Sequence, residues 1–141
     1  MSEFKHAVDN LIRELSGYTA LPGSKDYGET IEIDNGRVKL PPAVIIYPRS
    51  INDVSLALKF AREQNLPFSV KGGGHSAAGY CLNRDGVVLS MSSMAGMELD
   101  RETNILTVQM GARWSEVYEY VSSIDEAVSY THLTLPTILL V

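Results

Sequence analysis

The stretch AVIIYPRSINDVSLALKFAREQNLPFSVKGGGHS, residues 43–76, contains a strand–helix–strand pattern that runs straight into three consecutive glycines. The apolar run at 43–47 is bounded by prolines and predicts a buried strand. Residues 51–65 predict an amphipathic helix, and residues 68–70 predict a second short strand. These three segments fit within roughly 30 residues, the size of a βαβ unit. We therefore expect the two strands to lie parallel.

The helix of this unit has signals at both ends. Ser50 and Asp53 form an S-x-x-D capping box, which places the helix start at about Ile51. Asn65, followed by Leu66-Pro67, ends the helix. We accordingly assign Asp53 to capping and solvation rather than to chemistry.

The segments on either side of the unit differ in character. Residues 4–15 place apolar side chains on one face of a helix, and 17–42 form a Gly-, Pro-, Asp- and Asn-rich lead-in that predicts irregular structure. Downstream, residues 87–91 and 105–109 predict short strands, with the turn-forming DRETN between them, and we expect them to pair antiparallel. Residues 114–121 predict a final helix.

Composition narrows the functional classes. The chain has 141 residues, the size of one domain, and a formal net charge of −5 without a Lys/Arg cluster, which argues against nucleic-acid binding. The single cysteine, Cys81, excludes an intramolecular disulfide and an all-cysteine metal site. The N-terminus lacks the pattern of a secretory signal, and no apolar run is long enough to span a membrane. These features predict a soluble, cytoplasmic protein.

The last residues do not fit the rest of the chain. VSYTHLTLPTILLV, residues 128–141, carries no Asp, Glu, Lys or Arg and changes abruptly to a β-like composition. Read back into codons, its first ten residues resemble a sequencing-library adapter translated in one frame. We interpret residues 128–141 as non-native and the chain as a truncated piece of a longer protein. The alternative is an ordinary C-terminal strand.

The loop VKGGGHSAAG, residues 70–79, is the candidate binding site. Glycine adopts positive φ freely and has no Cβ, so successive backbone N–H groups can turn inward and form a nest for an anion such as a pyrophosphate. The loop follows a strand of a βαβ unit, where ligands usually bind. It matches neither G-x-G-x-x-G nor the G-K-[ST] ending of a P-loop. A glycine-rich turn with a solvated histidine explains the same pattern equally well.

His75 allows three roles. As a metal ligand it lacks a second His, Cys or carboxylate at ligand spacing, and the other histidines are His6 and His132. It is also suited to act as a general base, or as a nucleophile that becomes covalently attached to a ligand. The residues alone leave these alternatives open.

Several motifs follow one another in a fixed order from Pro48 to Trp114, within a longer stretch of resemblance to known proteins that covers roughly residues 20 to 126. They comprise P-x-S-x-x-D-V at 48–54, K-G-G-G-H-S-x-x-G at 71–79, a D-G-V-V-L strand with a methionine shortly after it, and V-x-x-G-A-x-W leading into a helix. In this order they resemble the start of an FAD-binding domain of the PCMH type. Within that fold the chain is most similar to the berberine-bridge-enzyme-like oxidases.

The resemblance implies an α+β fold. It would comprise the first, parallel-strand subdomain of the FAD-binding domain and the start of the second, antiparallel subdomain, with FAD between the two. We expect an N-terminal helix and lead-in at 1–37, the truncated FAD-binding domain at 38–127 and the non-native tail at 128–141.

The resemblance also assigns residues to the cofactor. His75 corresponds to the histidine that many family members link covalently to the flavin 8α-methyl, although noncovalent FAD is equally consistent with the family. Cys81 does not occupy the position of the cysteine that attaches the flavin a second time in some relatives. The residues expected to bind FAD are Lys71, Gly72, Gly73, Gly74, His75, Ser76 and Gly79.

The implied function is that of an FAD-dependent oxidoreductase that accepts a hydride from a small alcohol, sugar or phenolic substrate. The catalytic base and the substrate domain lie downstream in such proteins, so no residue here is assigned as catalytic, and none as a metal ligand. Two alternatives stay open. One is an inactive flavin-binding fragment, and the other is an anion-binding module unrelated to flavin.

Overall fold

The computed structural model of the protein describes residues 2–124, which form a four-stranded sheet covered by helices and a separate two-stranded sheet. In chain order the elements are α1 Ser2–Glu14, β1 Tyr18–Ala20, α2 Lys25–Ile31, β2 Val44–Tyr47, α3 Ile51–Glu63, β3 Phe68–Lys71, β4 Val87–Ser90, a 3₁₀ turn Met91–Ser93, β5 Met97–Asp100, β6 Ile105–Val108 and α4 Trp114–Ser123.

The larger sheet has the strand order β1-β2-β4-β3. Strands β2 and β3 both pair parallel with β4, while β1 pairs antiparallel with β2. The predicted βαβ unit is therefore confirmed, because α3 connects β2 to β3 and these two strands run parallel to each other. The structure adds that β4 lies between those strands, so that Val87 is aligned with Val44 on one side and with Phe68 on the other.

The two faces of this sheet carry separate apolar cores, because successive strand residues point to opposite faces. Val44 and Ile46 of β2 face α1 and α3, where the rings of Phe4 and Phe60 lie with their centroids 6.2 Å apart. Ile45 of β2 belongs to the core on the opposite face, whose other members come from β1, α2, β2 itself, β4 and the segment after the glycine loop. The central strands are buried on both faces, as expected of parallel strands in an α/β layer.

The predicted antiparallel pairing of 87–91 with 105–109 is wrong. All four residues of β4 are buried and the first three are apolar, a composition that suits the centre of a parallel sheet. The partner of β6 is β5, a strand that the sequence did not predict. β5 and β6 alternate between partly buried and exposed residues, and the DRETN turn joins them with Asn104 at φ 55°. The second, antiparallel sheet is therefore a hairpin.

The lead-in at 17–42 is more ordered than predicted. It contains β1, whose Tyr18 ring stacks on Tyr47 with centroids 4.4 Å apart, and α2, whose first turn is capped by Ser24. The hydroxyl of Tyr27 in α2 donates to the carbonyl of Pro42 at 2.7 Å. The contacts of Tyr18 and Tyr27 are made with residues far along the chain, so local composition gave no sign of them.

Asp53 is wholly buried, not solvated as its helix-start position suggested. Ser50 is the N-cap as predicted, because its hydroxyl accepts from the Asp53 N–H at 3.1 Å and α3 begins at Ile51, but within residues 2–124 the reciprocal bond of a capping box, from the Ser50 N–H to the Asp53 carboxylate, is not found. The Asp53 carboxylate instead accepts the N–H groups of Ser16, Gly17 and Arg49 at 2.8–3.0 Å, together with the Ser16 hydroxyl at 2.8 Å. It thus ties the end of α1 to the turn between β2 and α3.

The charge of Asp53 is stabilised despite its burial. Burial by itself raises the pKa of a carboxyl group, but the hydrogen bonds from Arg49, Ser16 and Ser50 outweigh it and lower the pKa of Asp53 from 3.8 to about 2. The ionised form is therefore the one that the folded protein prefers.

Two expectations concern features that the described residues do not test. The tail at 128–141, interpreted as non-native, lies outside them, and so does the domain boundary at 127.

Between Ser2 and Ile124, no helix has the length and apolar character needed to cross a bilayer.

We predict that Asp53→Asn destabilises the fold by about 2–3 kcal/mol at pH 7. The NH₂ group of the new amide would face the backbone N–H groups of 16, 17 and 49, which can only donate hydrogen bonds. The carboxylate has a lower pKa folded than unfolded, so its contribution is complete above 3.8 and is lost as the pH falls through about 2. Urea unfolding at pH 7, 4 and 2.5 should show the gap between wild type and variant narrowing with falling pH.

Glu63→Gln, an exposed change on the same helix, is the control, and we expect it to shift the unfolding free energy by no more than about 0.5 kcal/mol at pH 7. A gap between wild type and Asp53→Asn that stays constant with pH would contradict the assignment of a buried, ionised carboxylate.

Candidate functional site

The glycine loop leaves the sheet at the carboxyl end of β3, the edge where β2 and β4 also end. Ligands of α/β layers bind at this edge because the loops after parallel strands meet there. The hairpin side of the molecule also approaches the loop, since a Cβ on Gly72 would stand 3.5 Å from the carbonyl oxygen of Met110. The loop therefore lies where the two sheets come together.

The backbone of the loop is shaped for an anion. Gly74 and Gly79 have φ of 81° and 76°, which residues with a Cβ rarely adopt. Within residues 2–124, no hydrogen-bond acceptor is found for the backbone N–H groups of 73–78. Adjacent N–H groups without protein partners are the donors that a phosphate oxygen would accept.

Lys71 adds a positive charge to the same loop. Its side chain folds back over the glycines, and its Nζ lies 3.0 Å from the place that a Cβ on Gly74 would occupy. An ammonium group beside unpaired N–H groups favours a multiply charged anion. A Cβ on Gly74 would make the flexible end of the Lys71 side chain shift slightly, so it is the positive φ that favours glycine at this position.

His75 is exposed and held on two sides. Its Nδ1 lies 2.7 Å from Oδ2 of Asp34, and 79% of its side-chain surface remains accessible. The other edge of the ring lies over Gly73, where a Cβ would stand 2.9 Å from Cδ2 and 3.2 Å from Nε2 of the imidazole. The ring is thus oriented while staying open to a ligand.

Ser76 and Gly79 close the end of the loop. The carbonyl of Ser76 accepts from the Gly79 N–H at 3.0 Å, and its hydroxyl accepts from the Tyr80 N–H, also at 3.0 Å. The hydroxyl oxygen of Ser76 therefore supports the turn while its proton remains free to be donated. All seven predicted residues, 71–76 and 79, lie in this one loop.

Sequence reasoning missed the part of the site supplied by the lead-in. Asp34 contacts His75, the Asn35 amide donates to the carbonyl of Ala77 at 2.8 Å, and Val38 packs against Gly79. The only local signal was the turn-forming D-N-G at 34–36. Contacts between residues about forty positions apart cannot be found from such a signal.

Two other candidates lie away from the loop. Cys81 is a free, buried thiol in the apolar core on the α2 face of the sheet, as a small core residue would be. Trp114 is half-exposed and contacts Tyr118 of its own helix, while Val117 is the buried residue of α4. Among residues 2–124 no cluster of three His, Cys, Asp or Glu side chains suits a metal ion.

The sequence profile of a family described as "FAD binding domain" matches residues 42–136, about two thirds of the chain. The chain belongs to this FAD-binding domain family. The matched segment contains the glycine loop but not the lead-in residues 34–38 that contact it. It also includes residues 128–136, whose non-native origin stays a prediction.

Similar proteins agree with the family assignment. An "FAD-dependent monooxygenase sdcF" from Emericella nidulans is 36% identical over 104 residues, which are 71% of this chain and 22% of that protein. Glucooligosaccharide oxidase from Acremonium strictum, whose structure is described in terms of a "6-s-cysteinyl, 8 alpha-N1-histidyl FAD", is 25% identical with a TM-score of 0.77. That match covers 87% of this chain and 26% of the oxidase.

The fold expected from the resemblance is confirmed. A berberine-bridge-enzyme-like protein from the moss Physcomitrella patens superposes with a TM-score of 0.77 at 24% identity, over 83% of this chain and 26% of the moss protein. The chain thus has the α+β fold of these flavoproteins. It spans about a quarter of the length of the relatives that it matches.

We predict that Gly79→Ala destabilises the protein by about 1–3 kcal/mol, because the new Cβ would stand 2.5 Å from Cγ1 of Val38 in a backbone of positive φ. Gly36→Ala, also on the lead-in side, is the matched control, since its Cβ would meet nothing within 4 Å. Urea denaturation of both variants measures the difference. Equal stability of the two would show that the lead-in does not pack on the loop.

Proposed function

We propose that this chain forms the pyrophosphate-binding part of an FAD-dependent oxidoreductase, with Lys71, Gly72, Gly73, Gly74, His75, Ser76 and Gly79 around the cofactor. The observation that carries the proposal is the run of N–H groups at 73–78 for which residues 2–124 supply no acceptor, together with the ammonium group of Lys71 close to Gly74. When bound, FAD supplies the isoalloxazine ring that accepts a hydride from a substrate.

The residues of the loop fit such a cofactor. The N–H groups and Lys71 supply donors and charge for two phosphates, and Gly73 and Gly74 leave the space that side chains would fill. His75, exposed at the same loop, is placed to approach the ring system attached to the pyrophosphate. A small alcohol, sugar or phenol is the substrate class that we propose for the whole protein, in keeping with the sugar oxidase among its structural relatives.

We further propose that His75 can carry the flavin covalently. An imidazole nitrogen would bond to the 8α-carbon, one C–H bond of that methyl group would break, and its proton would leave to solvent. The electron pair would stay on the flavin until dioxygen or another oxidant removes it. The family relationship to a histidyl-FAD oxidase supports this step.

The location of the protein and its assembly stay open. The expected cytoplasmic location remains a prediction, as do the small-molecule substrate and the absence of nucleic-acid and membrane partners.

An inactive flavin-binding fragment is the second candidate function. Such a fragment would bind FAD as the oxidoreductase does, but its bound flavin would not be reduced by a substrate.

We predict that Lys71→Gln weakens FAD binding by about tenfold, because one charge-assisted contact to a phosphate is lost. Calorimetric titration with FAD, riboflavin and inorganic pyrophosphate measures the effect, and the variant should lose affinity for the two phosphate-bearing ligands only. Lys59→Gln on α3 is the charge-matched control, expected to bind FAD as the wild type does. Binding of pyrophosphate without any binding of FAD would instead favour an anion-binding module.

We also predict that flavin absorbance stays with the wild-type protein after acid precipitation and is lost from the pellet of His75→Ala. The measurement is an absorption spectrum of pellet and supernatant after incubation with FAD in air. His6→Ala, a histidine on α1, controls for changes in histidine content. Colour that moves wholly into the wild-type supernatant would show noncovalent FAD, and a protein that never takes up FAD would reject the flavin assignment.

A further inference from the structure

We propose that Asn35 is a positioning residue of the candidate site. Its side-chain amide holds the peptide bond between Ala77 and Ala78 so that the Ala78 N–H, and not the Ala77 carbonyl oxygen, is available to a phosphate group. The inference rests on the proposed function, because it concerns which backbone donors of the loop meet the cofactor. Asn35 lies before the segment that matches the family, which begins at residue 42.

Residues 76–79 form a turn at the end of the glycine loop. The carbonyl of Ser76 accepts from the Gly79 N–H at 3.0 Å, which is the hydrogen bond that closes a four-residue β-turn. Ala77 and Ala78 are the two central residues of this turn, and both are exposed. The orientation of the peptide bond between them distinguishes a type I turn from a type II turn.

A hydrogen bond from the lead-in holds this central peptide bond. Nδ2 of Asn35 donates to the carbonyl oxygen of Ala77 at 2.8 Å. The peptide is trans, so its C=O and N–H groups point in opposite directions. The Ala77 carbonyl oxygen therefore faces the lead-in, and the Ala78 N–H faces away from it.

The Ala78 N–H is suited to bind an anion. Residues 2–124 supply no acceptor for it, and it belongs to the run of N–H groups at 73–78 that share this property. Successive N–H groups of this kind form a nest for a phosphate oxygen. If the central peptide were reversed, the Ala77 carbonyl oxygen would lie where the N–H is now, and its partial negative charge would repel a phosphate. The orientation of this one peptide therefore decides whether the turn attracts or repels an anion.

The side chain of Ala78 favours the same orientation. Turns of types I′, II and II′ require a positive φ at a central residue, and neither Ala77 nor Ala78 is among the residues of 2–124 that have one, so the turn is of type I. Reversal of the central peptide toward type II would give Ala78 a φ of about +80°, which a residue with a Cβ rarely adopts. The hydrogen bond from Asn35 and the Cβ of Ala78 thus act in the same direction.

Asn35 is held in place by the turn that follows it. Its Oδ1 accepts from the Arg37 N–H at 3.2 Å, so its NH₂ group is the part of the amide that faces Ala77. Its backbone carbonyl accepts from the Val38 N–H at 3.0 Å, and Val38 lies against Gly79 at the end of the loop. The amide of Asn35 is therefore presented to the loop in a fixed orientation.

NMR of the chain labelled with ¹⁵N-alanine measures the type of turn without any ligand. In a type I turn the amide protons of the two central residues are close together, whereas in a type II turn the Hα of the first lies close to the amide proton of the second. We expect a strong amide–amide cross-peak between Ala77 and Ala78 in the wild type. Asn35→Asp should weaken it and strengthen the Hα–amide cross-peak. The carboxylate still accepts from the Arg37 N–H, but it turns a negative oxygen toward the Ala77 carbonyl.

Titration of the same samples with inorganic pyrophosphate, and then with FAD, measures the effect on binding. We expect the Ala78 amide signal of the wild type to move downfield, as an N–H group that donates to a phosphate oxygen does. Asn35→Asp should bind both ligands at least about fivefold more weakly. Arg37→Gln is the matched control, because it changes the net charge of the same turn equally and keeps the backbone N–H. It should alter the affinity by no more than about twofold.

Ala78→Gly provides a second variant that leaves Asn35 in place. Glycine adopts a positive φ freely, so this variant should shift part of the population to the type II turn and weaken pyrophosphate binding in the same direction. It keeps the test decisive if Asn35→Asp does not fold. A type I turn that persists unchanged in both variants would overturn the proposal.

Three further results would count against the proposal. A type II turn in the wild type, or an Ala78 signal that stays fixed while other amides of the loop respond to pyrophosphate, would overturn the role of Asn35 and leave the flavin function intact. Equal losses of affinity in Asn35→Asp and Arg37→Gln would do the same, because charge alone would explain them. If neither pyrophosphate nor FAD moves any amide signal of the loop, the proposed function fails and this inference fails with it.

Discussion

The parallel pairing of β4 between β2 and β3 is the constraint on which the rest of the structure depends. It brings the carboxyl ends of three strands to one edge of the sheet, so that the loops after them meet there. The glycine loop after β3 therefore lies close to the 3₁₀ turn after β4 and to the chain that returns from β6. A loop of three glycines has no order of its own, and its position is set by the strand before it.

The two carboxylates that organise this part of the molecule act in opposite environments. Asp53 is buried, is surrounded by donors and joins α1 to the turn after β2, which makes it a structural group. Asp34 is exposed, with 69% of its side-chain surface accessible, and its carboxylate contacts the imidazole of His75. An exposed pair of this kind adds little to stability. The pair does join the glycine loop to the segment before β2.

The lead-in at 17–42 forms one side of the candidate site. The family match begins at residue 42, yet Asp34, Asn35 and Val38 lie against the glycine loop from before that point. The loop thus follows directly from β3 and is contacted by the lead-in, which forms a short strand and a short helix of its own. Unpaired N–H groups remain on the loop because neither β3 nor the lead-in supplies acceptors to them. This division leaves the backbone donors for an anion while the side chains are positioned by the protein.

The sequence by itself determined the βαβ unit, the capped start of α3 and the glycine loop with its family, because strand runs, an S-x-x-D box and a K-G-G-G-H-S motif are local patterns. The pairing of β4, the partner of β6 and the burial of Asp53 were decided only by tertiary structure. A mainly apolar strand is compatible with several neighbours, and a carboxylate at a helix start is usually solvated until another segment covers it. The same holds for Asp34 and His75, forty-one positions apart, since no local pattern specifies a contact that forms only when the sheet has brought the two segments together.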